Sequence, residues 1–141
     1  LQKAAIAKCA DIVSYTSYHL EMTTNYAKER TQFGQHIGSF QAVQHHCANM
    51  LIDIDGAKFI TYKAAWMISE GIPCTREVAV AKAWGSEAYR RVCLLGHQVL
   101  AGVGYMIDHD MPLYTLRAKA AELAFGDAKF YQGVVAQELG L

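Results

Sequence analysis

The sequence predicts an all-α protein, an up-and-down four-helix bundle with a short extra helix at the C-terminal end. Apolar residues recur at three- and four-residue spacing over most of the 141 residues, as expected for amphipathic helices. Only two prolines occur, Pro73 and Pro112, and each falls where a helix should end or begin. The connections between the periodic segments are short, which favours antiparallel neighbours. Residues 1–141 are therefore expected to form one helical domain.

The first two helices follow from their apolar spacing. The first is predicted over residues 1–29, and its apolar stripe consists of Ile6, Ala10, Val13, Ser17 and Leu20. A loop with two glycines is predicted at residues 31–38. Ser39 is predicted to cap the second helix, which ends at Gly71. The stripe of this second helix consists of Phe40, Val43, Cys47, Leu51 and Ile54.

The third, fourth and fifth helices follow in the same way. Thr75 is predicted to cap the third helix, whose stripe consists of Ala81, Trp84, Ala88, Val92, Leu95 and Val99. The run Ala-Gly-Val-Gly at residues 101–104 ends it. The fourth helix is predicted from Pro112 to Phe125, with the proline in the first turn. Gly126 then breaks the chain, and Asp127 is predicted to cap a short last helix.

Composition excludes several classes of protein. Thirteen basic residues balance thirteen acidic ones, so no net charge attracts nucleic acid or anionic lipid. No apolar run approaches the ~18 residues of a membrane span. No glutamate is followed three residues later by histidine, so the paired Glu-x-x-His motifs of di-iron bundles are missing and no metal is expected. Asp53 and Asp55, two residues apart on a helix, are predicted to be solvated charges.

The cysteines and the start of the chain give further expectations. The four cysteines have no CxxC spacing and lie in apolar stretches, which predicts buried free thiols in a reducing compartment. The expected location is the cytoplasm, or the mitochondrial matrix in a eukaryote. The sequence begins without Met and within a helical pattern, so a fragment of a longer protein is expected.

Two segments carry residues that suit a ligand. Residues 29–34 read Glu-Arg-Thr-Gln-Phe-Gly, and Ile37 and Phe40-Gln41 follow. Arginine can pair bidentately with phosphate, and the ring of Phe33 can cover a flat ligand ring. Residues 98–105 read Gln-Val-Leu-Ala-Gly-Val-Gly-Tyr, and glycines after a helix let the backbone approach a ligand closely. The pair of segments indicates a phosphate-containing, purine-like ligand.

Together these two segments resemble those of the acyl-CoA dehydrogenases, and the resemblance extends from the first helix to about Asp127. One departure is Ala101, where the family usually has a glycine. The resemblance implies that residues 1–141 are the C-terminal helical domain, without the N-terminal helical and middle β domains. It implies FAD, bound between the middle domain of one subunit and this bundle of its neighbour. The isolated chain is therefore expected neither to bind flavin nor to act on substrate.

The resemblance also implies roles for particular residues and for the whole protein. The pyrophosphate and adenine half of a neighbour's FAD would contact Arg30, Gln32, Phe33 and Gln41. The same dinucleotide would be lined by Gln98, Leu100 and Gly102. The family oxidises acyl-CoA to trans-2-enoyl-CoA and usually passes electrons to an electron-transfer flavoprotein. Its members usually assemble as tetramers.

The sequence departs from the family at the catalytic base. The usual glutamate lies in a Tyr-Glu-Gly-Thr stretch, and ungapped counting from Gln98 places this stretch on residues 124–127, Ala-Phe-Gly-Asp. Phe125 therefore stands where the base is expected, and phenylalanine cannot accept a proton. A rival register needs an insertion and places the base on Val135, which is no better.

Three interpretations of the missing base stay open. The base is a nearby acid, Glu122 or Asp127; or it lies outside this fragment or on a partner subunit; or the chain is a non-catalytic structural subunit of a mixed tetramer. A branch of the family supplies its glutamate from the start of the first helix, near Ala4, but no acid precedes Asp11 here. The catalytic residue is therefore left unassigned.

Overall fold

A computed structural model describes all 141 residues and confirms the predicted all-α bundle. The helices are α1 (Gln2–Glu29), α2 (Gln41–Ser69), α3 (Thr75–Leu100), α4 (Met111–Leu123) and α5 (Ala128–Glu138). Single 3-10 turns cover Ile37–Ser39 and Ala101–Tyr105. None of the helices combines the length and the apolar character that a bilayer crossing requires.

Helix α3 is the centre of the bundle, because it contributes residues to every buried apolar cluster. Ala88 of α3 meets Val13 of α1 and Ala57 of α2 in one cluster. One turn further along α3, Val92 meets Met50 and its neighbours, which lie nearer the start of α2. Helix α2 therefore runs antiparallel to α1 and α3. The three long helices alternate up, down and up, as predicted.

Helices α4 and α5 together form the fourth rod of the bundle, antiparallel to α3. Tyr89 of α3 donates a hydrogen bond to the carbonyl of Tyr114 in α4. One to two turns nearer the start of α3, Lys82 donates to the carbonyl of Ala121. Tyr131 of α5 then joins the cluster at the beginning of α3. The rod is interrupted at residues 124–127, and α4 ends at Leu123, two residues before the predicted end at Phe125.

The segment between α1 and α2 differs from the predicted loop. It contains a minimal antiparallel hairpin, in which β1 (Thr31–Gln32) pairs with β2 (Gln35–His36). The two connecting residues, Phe33 and Gly34, both have positive φ, 56° and 79°. Two positive φ angles in a two-residue connection match the twist of a hairpin. Strands of two residues are too short to leave an alternating pattern in the sequence.

Two of the three predicted helix caps are wrong. The Ser39 hydroxyl donates to the carbonyl of His36 at 2.6 Å instead of accepting from α2. Thr75 is the first residue of α3, and its hydroxyl accepts from the Gln2 amide at 3.0 Å. The cap predicted at Asp127 is confirmed, since its carboxylate accepts the Phe130 N–H at 2.8 Å.

The prediction that Asp53 is a solvated charge on the α2 surface is also wrong. Asp53 is 9% exposed, and its two carboxylate oxygens accept from the guanidinium of Arg91 at 2.7 and 2.9 Å. The pair joins α2 to α3 side by side, and Arg91 also lies 5.2 Å from the Trp84 ring. A burial of this kind is tolerated because both charges are paired and hydrogen-bonded.

Candidate functional site

The two ligand-suited segments lie at the same end of the bundle. Because α1 and α3 run up and α2 runs down, the end of α1, the start of α2 and the end of α3 meet there. We call residues 30–41 and 98–105 together the loop end. The Ile37 N–H donates to the carbonyl of Arg30 at 2.8 Å, which closes the hairpin base. A Cβ at Gly38 would lie 2.9 Å from the carbonyl oxygen of Ala27, so the 3-10 turn after the hairpin rests closely on α1.

The hairpin side of the loop end presents an unpaired cation and an uncovered ring. Arg30 follows α1 in an extended conformation, is exposed, and forms no ion pair. Phe33 at the hairpin tip is 91% exposed, and it touches Phe40 edge-on at a centroid distance of 6.1 Å. The Gln32 amide donates to the carbonyl of Thr31, and Gln41 is exposed in the first turn of α2. An exposed guanidinium and ring of this kind suit an anionic group and a flat ring.

The α3 side of the loop end has three different environments. Gln98 is exposed on the last turn of α3. Leu100 has no exposed surface, so neither its side chain nor its backbone is open to a ligand in this chain. A Cβ at Gly102 would meet nothing within 4 Å, which leaves its backbone open to close approach. Ala101 has a φ of 51°, which lies in the left-handed region that glycine adopts without steric cost.

Behind this turn, the side chain of His97 contacts a tyrosine and a threonine. The His97 ring stacks on Tyr105 at a centroid distance of 4.5 Å, and His97 Nε2 lies 2.6 Å from the Thr115 hydroxyl oxygen. Burial lowers the pKa of His97, so the ring is neutral near pH 7. A cavity of about 360 Å³ between α3 and α4 lies beside this stack, with Cys93 and Glu122 also in its lining.

Phe125 lies in the turn between α4 and α5, with a φ of 61°. Its side chain is about half exposed. A left-handed conformation at a residue other than glycine or asparagine is uncommon, and it persists where neighbouring contacts over-determine it. The carboxylate candidates beside it each have a structural partner. Glu122 pairs with Lys119 at 3.1 Å, and Asp127 caps α5.

Other titratable groups do not form a reactive centre. Burial raises the pKa of Cys9 to about 11 and that of Cys93 to about 12, so both thiols are protonated at neutral pH. All four cysteines are free; three are buried and Cys47 is half-buried. No three His, Cys, Asp or Glu side chains converge in a way that could hold a metal ion.

Sequence reasoning missed Lys82, the fully buried ammonium that holds the turn at Phe125. Lys82 Nζ lies 2.8 Å from the carbonyl oxygen of Gly126. Its one sequence signal is a lysine among the buried positions of α3, one residue after Ala81. Such a position predicts a buried charge, but it does not tell which of the other helices supplies the acceptors.

The fold is thus an up-and-down helical bundle with exposed polar and aromatic groups at one end. Residues 1–140 match the sequence model of the acyl-CoA dehydrogenase C-terminal domain, and the chain belongs to this family. The members of the family are oxidoreductases and flavoproteins that use FAD. The resemblance inferred from the two loop segments is therefore confirmed.

Three relatives illustrate the similarity. Probable acyl-CoA dehydrogenase YngJ of Bacillus subtilis is 37% identical over 139 residues, which are 99% of this chain and 37% of that protein. Butyryl-CoA dehydrogenase of Megasphaera elsdenii superposes with a TM-score of 0.94 at 28% identity, covering 97% of this chain and 36% of that one. A chain of the ChsE4-ChsE5 complex of Mycobacterium tuberculosis superposes with a TM-score of 0.94 at 35% identity, covering 99% of this chain and 38% of that one. The chain thus spans little more than a third of the length of these relatives.

The residues of the loop end fit one side of a dinucleotide. The unpaired guanidinium of Arg30 suits a pyrophosphate, and the uncovered ring of Phe33 suits a purine face. The open backbone at Gly102 permits close approach of a ligand. Arg30, Phe33 and Gly102 are all exposed.

Proposed function

We propose that the chain is the C-terminal domain of an FAD-dependent acyl-CoA dehydrogenase that oxidises acyl-CoA to trans-2-enoyl-CoA. In this proposal the bundle completes the FAD site of a neighbouring subunit. The observation that supports it best is that four exposed residues lie together at one end of the bundle: Arg30, Phe33, Gln98 and Gly102. The guanidinium of Arg30 forms no ion pair there. Residues 1–141 then form one unit of a longer protein.

Each group at the loop end has a physical role in this proposal. The Arg30 guanidinium donates to the pyrophosphate, and Phe33 covers the adenine. Polar atoms in the pyrophosphate and adenine half of FAD form hydrogen bonds with the side-chain amides of Gln32, Gln41 and Gln98. The backbone at Gly102 lies against the dinucleotide, where a side chain would block approach, and Leu100 is buried two residues before it. Bound FAD supplies the hydride acceptor for oxidation of the acyl chain.

The proposal extends to partners and location. Acyl-CoA is the substrate, an electron-transfer flavoprotein receives the electrons, and the complete protein is a homotetramer or a heterotetramer. A bundle that reaches one side of the cofactor requires a second subunit to form a whole site. The buried free thiols suit a reducing compartment, the cytoplasm or the mitochondrial matrix.

Replacing Arg30 tests this function. In the full-length protein, Arg30→Ala removes one charge-assisted contact worth ~1.5–3 kcal/mol, so the Kd for FAD should rise roughly tenfold or more. Fluorescence titration of the apoprotein with FAD measures this. Arg76→Ala is the matched control, because Arg76 is exposed at the opposite end of the bundle. Equal Kd values for wild type and Arg30→Ala would show that Arg30 does not contact the cofactor.

A second candidate function is a non-catalytic subunit of a mixed acyl-CoA dehydrogenase tetramer. Two observations favour it: Phe125 stands at the expected position of the base, and one similar structure is a complex of two different chains, ChsE4 and ChsE5. Native mass spectrometry after co-expression with a glutamate-containing paralogue distinguishes the two functions. A homotetramer that turns over acyl-CoA by itself contradicts the second candidate.

A further inference from the structure

The turn between α4 and α5 is fixed by a buried ammonium group. Lys82 of α3 has no exposed surface. Its Nζ donates to three carbonyl oxygens, those of Ala121 at 3.1 Å, Glu122 at 3.0 Å and Gly126 at 2.8 Å. Three acceptors match the three N–H groups of an ammonium. The Ser86 hydroxyl oxygen lies further off, at 3.4 Å.

Two of these carbonyls belong to the last turn of α4 and have no partner within the helix. The Ala124 N–H closes the final helical hydrogen bond on Ala120, which leaves the carbonyls of Ala121 and Glu122 free. A cation at this place also opposes the negative end of the helix dipole. The third carbonyl, that of Gly126, lies beyond Phe125. Lys82 therefore connects the end of α4 with the residue that follows Phe125.

A second buried side chain holds the other carbonyl of the turn. Tyr131 of α5 is 5% exposed, and its hydroxyl donates to the carbonyl of Phe125 at 2.9 Å. The Tyr131 ring centroid lies 5.8 Å from Lys82 Nζ. At Gly126 φ is 108°, and a Cβ would lie 2.8 Å from the Phe130 ring. The backbone on both sides of the Phe125 side chain is thus fixed by α3 and α5.

Burying the Lys82 ammonium costs hydration free energy, which indicates that its hydrogen bonds to the turn have a structural role. Burial lowers the pKa of Lys82, because the charged form loses its hydration. An apolar residue of similar length in this position would avoid the loss of hydration, but it would leave three carbonyls without donors. The ammonium therefore provides what an apolar contact cannot, a fixed position for each of the three oxygens.

We propose that Lys82 is a positioning residue that, together with Tyr131, fixes the left-handed turn at Phe125–Gly126 and so sets the direction of the side chain at position 125. The inference rests on the proposed function only where it assigns position 125 to the acyl-CoA site. Lys82 acts through the backbone and contacts no reacting atom.

Hydrogen–deuterium exchange in the full-length protein tests the first half of this inference. In Lys82→Met, amides of residues 124–131 should exchange about tenfold faster or more, while amides of α1 and α2 keep their rates. Tyr131→Phe removes one hydroxyl group, is the milder variant, and should accelerate the same amides by about threefold or more. Lys129→Met, at an exposed lysine on α5, is the control and should change nothing. If Lys82→Met fails to fold, Tyr131→Phe decides alone. Unchanged exchange at residues 124–131, or an equal rise in all helices, overturns the inference.

Flavin reduction tests the link to the site. In a full-length protein that carries Phe125→Glu, adding Tyr131→Phe should slow flavin reduction by acyl-CoA about tenfold, since a misplaced base loses most of its contribution. The Kd values for acyl-CoA and FAD should not change. An unchanged reduction rate overturns the positioning role. If the proposed function is wrong, the full-length protein binds no FAD. The hydrogen–deuterium exchange at residues 124–131 then still tests the role of Lys82 in the turn.

Discussion

Phe125 places an apolar ring in a half-exposed, left-handed turn where ungapped counting from Gln98 predicts an acid. General-base catalysis typically contributes ~10²–10⁴-fold. We therefore expect Phe125→Glu, in the full-length assembly, to raise flavin reduction or α-proton exchange by at least about tenfold. Rapid mixing with a panel of acyl-CoA esters measures the reduction. Phe125→Gln is the matched control, because it has the shape of glutamate without its basicity.

The wild-type rate decides how the neighbouring acids are tested. If the wild type already reduces its flavin quickly, Glu122→Gln and Asp127→Asn are compared under the same conditions. Loss of reduction in one of them, with FAD and ligand binding intact, identifies the base. No loss in either places the base outside this chain. If Phe125→Glu and Phe125→Gln behave alike, position 125 does not face the thioester.

At the scale of elements, α1 and α3 approach closely around one histidine. His19 of α1 is fully buried, neither of its ring nitrogens has a protein hydrogen-bond partner, and a Cβ at Gly96 of α3 would overlap the imidazole. Burial, with smaller contributions from His97 and His109, lowers the pKa of His19 from 6.5 to about 4. The folded state therefore favours the neutral ring.

This depressed pKa makes stability depend on pH in a defined direction. The folded state binds fewer protons than the unfolded state between pH 6.5 and 4, so the free energy of unfolding falls as the pH falls through this range. From pH 7 to 5 we expect His19 to account for a loss of about 2 kcal/mol. Urea unfolding at both pH values measures the loss. His19→Gln should flatten this dependence, while His45→Gln, at an exposed position on α2, should not. Identical pH dependence in wild type and His19→Gln would assign the effect to other groups.

Prediction from sequence succeeds for elements and fails for particular pairs. The five helices follow from apolar spacing, prolines and glycines, and Asp127 follows from the residue types that cap helices. The Asp53–Arg91 pair and the acceptors of Lys82 do not, because each joins residues about forty positions apart and depends on how helices rotate against one another. Rotation also explains why Ala10 and Leu51, both placed on predicted apolar stripes, are exposed. The roles of the loop-end residues remain predictions.

For the whole molecule, the loop end presents one side of a site, so the isolated chain should fold without flavin. We expect helical circular dichroism and no flavin absorbance after purification of residues 1–141. Its proposed contacts reach one face of the cofactor, and the entropy of ordering a ligand is not recovered from a half-site. A near-stoichiometric yellow colour would contradict this and would show that the bundle binds FAD without other domains.

The turn held by Lys82 and Tyr131 has a consequence for what position 125 of this chain can carry. Both side chains bind main-chain carbonyls, so they hold the turn without using the side chain at position 125. Exchanging Phe125 for an acid therefore leaves these hydrogen bonds in place. The main chain fixes the shape of the turn, and the residue at position 125 sets its chemistry.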